Sequence, residues 1–91
     1  MVAVPYEMYS DTVLYDVFYE AGTLLGARYI SLSRQARLAG DEPLEVAYRG
    51  KYVELVEQRN AVHWKDRAGQ IRCINSWNAL LEHLPTTLSH V

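Results

Sequence analysis

The chain holds a single cysteine, Cys73, so no disulfide can form within it and no thiol-based metal site is built from it. Its three prolines, Pro5, Pro43 and Pro85, stand near the ends and in the middle, leaving two long stretches free of helix breakers. No run approaches 18 uncharged apolar residues, which excludes a membrane-spanning helix. The opening MVAVPYEMYSD lacks a basic region followed by a long apolar core, so it does not read as a secretion signal. Cytoplasm is the expected compartment. Residues 1–27 carry no base at all, and the whole chain has a net charge of −2. That balance argues against nonspecific binding to nucleic acid or to an acidic membrane surface. Phenylalanine occurs once, against seven tyrosines and two tryptophans. Tyrosine and tryptophan have an apolar body and a polar tip, and they suit half-buried positions and interfaces.

What is present points to one small helical unit. Ninety-one residues make one domain with a limited core, and a hydrophobic fraction of 49% is too high for a disordered chain. Between Pro5 and Gly40 the apolar spacing is helical. Tyr15, Phe18, Gly22, Leu25, Tyr29, Leu32 and Ala36 alternate steps of three and four, and Leu14, Val17, Ala21 and Leu24 form a second stripe beside them. Asp16, Glu20, Thr23 and Arg34 fall on the opposite side. The arc is wide enough to need more than one neighbour. A first helix is expected over about 7–39, with Gly40 as its C′ residue. A second is expected over about 42–63, opened by Asp41, Glu42 and Pro43. Leu44, Tyr48, Tyr52, Leu55, Arg59 and Val62 share one side of it, and Glu45 can pair with Arg49 one turn on.

Residues 62–74, VHWKDRAGQIRCI, admit two readings. Val62/Trp64 and Ile71/Cys73 alternate as a β-hairpin turning at DRAG would, giving an α+β chain. Alternatively a turn capped by Asp66 leads into a third helix over about 70–84, with Cys73, Ile74, Trp77, Leu80, Leu81 and Leu84 on one arc. The second reading separates apolar from polar cleanly over three turns and is preferred. The expected fold is therefore all-α: a long antiparallel helical hairpin, a shorter third helix, and a frayed tail over 85–91, with a homodimer completing the bundle.

The charge is blocky. Arg28, Arg34 and Arg37 follow the acidic opening, and Arg59, Lys65, Arg67 and Arg72 follow an acidic stretch at 41–58. Folding the chain about Asp41 brings opposite blocks together, so most of the pattern reads as register within the chain. Two glycines one turn apart, Gly22 and Gly26, sit inside the apolar stretch EAGTLLGARYISL, where each costs roughly 1 kcal/mol against alanine. Glu20 and Arg28 flank them and remove a membrane reading. They mark a close approach between soluble helices, into which a backbone or a tyrosine ring fits.

No catalytic constellation stands out. His63, His83 and His90 show no paired ligand spacing, and no metal or cofactor is expected. The leading functional expectation is a non-enzymatic protein–protein interaction module, a small regulator, accessory subunit or inhibitor that also self-associates. Its interface is expected at Tyr15, Phe18, Gly22, Leu25, Gly26, Tyr29 and Leu32. A second reading is a dimeric DNA-binding regulator that uses the basic turn at 63–72, with Lys65, Arg67 and Arg72 as contacts. A third comes from the pattern Arg28, Arg37, GDEP at 40–43 and Arg49, which resembles all-helical chorismate mutases in outline. That family has a long first helix, two shorter ones and a helix-swapped dimer, and clamps a dicarboxylate with arginines and a lysine. The resemblance implies a small arginine-clamp enzyme with Arg28, Arg37 and Arg49 around one apolar cavity. The chain departs from it where the family has an arginine in the opening turns, here Glu7, Asp11 and Asp16, and a glutamine in the last helix, here Trp77 and Leu81.

Overall fold

The computed structural model describes residues 5–88. The fold is all-helical: a 3₁₀ turn at Tyr6–Met8, then α1 (Asp11–Leu38), α2 (Glu42–Ala61) and α3 (Arg67–His83). No strand occurs among the described residues, so the β-hairpin reading of 62–74 is set aside. The physical reason lies at Asp66. Its carboxylate accepts from the Gly69 amide at 3.0 Å, and the Gln70 amide bonds the Asp66 carbonyl at 3.0 Å. That cap starts α3 at Arg67, three residues before the expected start.

The other boundaries follow from capping too. Ser10 accepts from the Val13 amide at 3.2 Å and starts α1 at Asp11 rather than near residue 7. Gly40 has φ +76°, a conformation costly for residues with a Cβ. It lets the Asp41 amide reach the Ala36 carbonyl (2.9 Å) and the Gly40 amide reach Arg37 (3.1 Å), the paired bonds of a Schellman end. Asp41 then accepts from the Leu44 amide at 3.2 Å and caps α2, with Pro43 in its first turn. Two residues thus close one helix and open the next.

α1 is the spine. α2 returns antiparallel along it: Ser33 donates to the Glu45 carbonyl, Tyr29 meets Tyr48, and Gly26 lies under Tyr52. α3 runs parallel to α1, with Arg67 at Asp11 and Trp77 on Phe18, ring centroids 5.3 Å apart. The core gathers where all three meet, around Leu14, Phe18, Leu25, Leu55, Ile74 and Trp77. The tail expected to be frayed is docked over its described part. Arg28 donates to the Leu84 and Pro85 carbonyls, Gln35 donates to Thr86 O, and the Leu88 amide returns to Gln35 Oε1 at 2.9 Å. Residues 89–91 lie outside the described residues.

The radius of gyration is 15.0 Å, against about 12 Å for a compact chain of this length. The accessible surface is 6297 Å², against about 5,400 Å² for a monomer of this mass. α2 has a single buried residue, Leu55, in 20. The chain therefore leaves about 900 Å² more surface in water than its size requires.

Candidate functional site

The line expected to form an interface faces inward. Phe18, Gly22, Leu25, Gly26, Tyr29 and Leu32 are buried within the chain and Tyr15 is half-buried. The arc is wide because α2 and α3 both pack on it, which satisfies it without a second molecule. Leu24, placed by its spacing in the same arc, instead stands 52% exposed.

The glycines do what close approach requires. A Cβ on Gly22 would stand 3.1 Å from Arg59 Cδ and 3.2 Å from Trp77 Cζ3. A Cβ on Gly26 would stand 3.2 Å from the Tyr52 ring. So Gly22 admits one side chain from α2 and one from α3, and Gly26 admits the tyrosine ring. Arg59 crosses Gly22 with its guanidinium carbon 4.0 Å above the Tyr19 ring, and donates to Thr23 Oγ1 at 3.3 Å. Its Nε is buried without a protein partner. The apolar-side position of Arg59 in the sequence marks this packed cation, whose stem covers what a bare glycine exposes.

The basic turn is dispersed. Arg67 bonds Asp11 Oδ1 at 2.7 Å and the carbonyls of Glu7 and Tyr9, tying the 3₁₀ turn to the start of α3. Lys65 lies over the Trp64 ring, 4.8 Å from its centroid. Arg72 is exposed on α3. The feature that prompted the nucleic-acid reading thus shrinks to Lys65 and Arg72.

The three arginines of the clamp reading do not converge. Arg28 is committed to the tail carbonyls. Arg37 and Arg49 line an open cleft of about 410 Å³ between α1 and α2, together with Arg34, Glu45 and Tyr52. Glu45 there accepts from Arg49 at 2.8 Å, the pairing its spacing predicts. No group of three or more His, Cys, Asp or Glu side chains that could hold a metal ion is found among the described residues.

Two buried groups titrate unusually. Burial raises the Tyr29 phenol above its ordinary value, and Glu54 and Tyr48 add to the shift. Burial raises the Cys73 thiol, with Arg72 opposing and Asp66 assisting. A raised thiol is a poor nucleophile near neutral pH, so Cys73 acts as a small core residue. Gln70 is fully buried. Its amide donates to the His63 and Trp64 carbonyls at 3.1 and 2.7 Å and closes the α2–α3 turn. Sequence reading missed that role, because glutamine has no positional signature of a turn clamp.

The outer faces carry the surface left unsatisfied. On α1 Leu24 and Ile30 are exposed, and on α2 Val46 and Val53. Asp16, Glu20 and Arg34 lie on the same outer side of α1 and make no ion pair among the described residues. Among the described residues only Asp11–Arg67 joins opposite charge blocks across elements. Among the described residues the blocky charge is therefore not consumed by ion pairs.

No protein-family model, curated protein or solved structure matches this chain. Over the described residues the geometry is that of a three-helix all-α chain with a central helix and open outer faces. Among the described residues no helix is long and apolar enough to cross a membrane.

Proposed function

We propose that the protein is a non-enzymatic interaction module: a small cytoplasmic regulator, accessory subunit or inhibitor that works through an exposed helical face and self-associates. The observation that carries this reading is the outer face of α1. It combines Leu24 at 52% and Ile30 at 39% exposure with charges that have no partner within the described chain. Exposed apolar side chains beside unpaired charges of both signs suit a docking surface. The inward-facing line Tyr15–Leu32 supports the scaffold, and the contact surface moves to the opposite side of the same helix. Arg67 paired with Asp11, and Arg28 bonded to the tail carbonyls away from the cleft of Arg37 and Arg49, favour this reading over the nucleic-acid and arginine-clamp alternatives.

Size-exclusion chromatography with light scattering tests the reading. A dimer or larger assembly is expected. A monodisperse monomer at high concentration contradicts self-association.

A further inference from the structure

The outer face of α1 has an internal symmetry. Taking Ala27 as centre, Leu24 and Ile30 lie three residues to either side, Thr23 and Ser31 four, and Glu20 and Arg34 seven. All seven are exposed. At 100° per residue they occupy one side of the helix, opposite the core. The pattern is therefore charge, small, apolar, small, apolar, small, charge, with the two charges of opposite sign.

We infer that a second copy of this chain docks here, with the two α1 helices antiparallel and a two-fold axis passing beside Ala27. This inference rests on the self-association reading and gives it a geometry. A two-fold interface must be self-complementary: what residue i meets on the partner, its symmetry mate meets in return. About Ala27, Glu20 of each copy meets Arg34 of the other, so both ion pairs form at once. Leu24 of each lies level with Ile30 of the other, and Thr23 with Ser31, on either side of the seam. Thr23, Ala27 and Ser31 are small and one turn apart, which lets the backbones approach closely while the larger apolar side chains pack beside the crossing.

The shape of the face agrees with its charge. Tyr15, Asp16, Tyr19, Glu20 and Thr23 line a shallow acidic hollow of about 460 Å³. Ala27, Ile30, Ser31, Arg34 and Leu38 line a hollow of about 330 Å³ whose charge is basic. The two-fold operation lays each acidic hollow over the partner's basic one. A parallel pairing would set acid on acid and base on base, so charge selects the antiparallel arrangement. α2 and α3 pack on the opposite side of α1, and although Thr23, Ala27, Ile30 and Arg34 also border α2, all seven side chains stay exposed.

Charge exchange tests the geometry. Glu20→Arg alone and Arg34→Glu alone each place like charges together at both ends of the interface. Each is expected to raise the dimer dissociation constant by about 10- to 100-fold in sedimentation equilibrium. The double variant Glu20→Arg with Arg34→Glu re-forms both pairs with reversed sign and is expected to restore native dimerisation. Ala27→Cys is expected to give a disulfide-linked dimer on mild oxidation, and Glu57→Cys, on the outer side of α2, is not. Circular dichroism of each variant confirms that it is folded. If the chain dimerises but single exchanges leave its affinity unchanged and Ala27→Cys does not cross-link, the two-fold geometry is overturned while self-association stands. If the native chain is monomeric throughout, both are overturned.

Discussion

Gly22→Leu and Gly50→Leu are the same chemical change, each inside a helix, and they are expected to have opposite effects. At Gly50 nothing lies within 4 Å of a Cβ, so leucine brings only its better helix propensity, about 0.8 kcal/mol. At Gly22 the first carbon already meets Arg59 Cδ at 3.1 Å and Trp77 Cζ3 at 3.2 Å. Arg59 is the end of a flexible chain and can move. Trp77 is 2% exposed, stacked on Phe18, and bonded through Nε1 to Gln58 at 3.1 Å, so it cannot yield without opening the core. Overpacking costs about 1–3 kcal/mol, and a site walled by an immobile ring belongs at the upper end. Subtracting the propensity gain leaves a net loss of about 2 kcal/mol. For a domain of this size that lowers Tm by about 8–16 °C, while Gly50→Leu raises it by about 3–6 °C. Thermal melts followed by circular dichroism at two protein concentrations measure both shifts and separate folding from association. Equal shifts, in either direction, would refute the account of Gly22 as the point where three helices meet.

Three further outcomes follow from the described contacts. Arg67→Ala removes an ion pair to Asp11 and two carbonyl bonds, and should cost about 1–2 kcal/mol in urea unfolding; a change below about 0.5 kcal/mol would show that these partly exposed contacts do not anchor the 3₁₀ turn. Tyr29 is held neutral by burial, so its unfolded form releases its proton first as pH rises; stability falls from about pH 10 upward until the folded group also ionises, and Tyr29→Phe should flatten that alkaline limb in melts taken from pH 8 to pH 11. Cys73 should react slowly with a thiol reagent in the native chain and rapidly in denaturant, whereas equal rates would place it outside the core.

The amphipathic spacing of α1 identified its buried residues while also placing exposed Leu24 among them, and spacing alone does not say what buries them. An arc wide enough for two neighbours is satisfied equally by two helices of the same chain or by one helix and a partner. Here α2 and α3 take that place, and the residues expected at an interface became core. The Gly40–Asp41–Pro43 junction was legible because each residue there has a backbone or capping role that is local. Asp66 was legible as a cap, yet α3 was placed three residues late, because the apolar periodicity begins only at Cys73, after the first turn. The docked tail was not legible at all. It depends on Arg28 and Gln35 reaching carbonyls more than fifty residues away, and no local pattern encodes that. The blocky charge was legible as a pattern and misplaced in cause, since Asp11–Arg67 accounts for only part of it.

The central claim is that the outer face of α1 binds a second copy of the chain. Sedimentation equilibrium of the native protein beside Glu20→Arg, at the same loading, tests it most directly. The account predicts twice 10.4 kDa for the native chain and a shift toward 10.4 kDa for the variant. A native mass of 10.4 kDa at every loading up to ~1 mM, where even an association worth about 4 kcal/mol is populated, would contradict it.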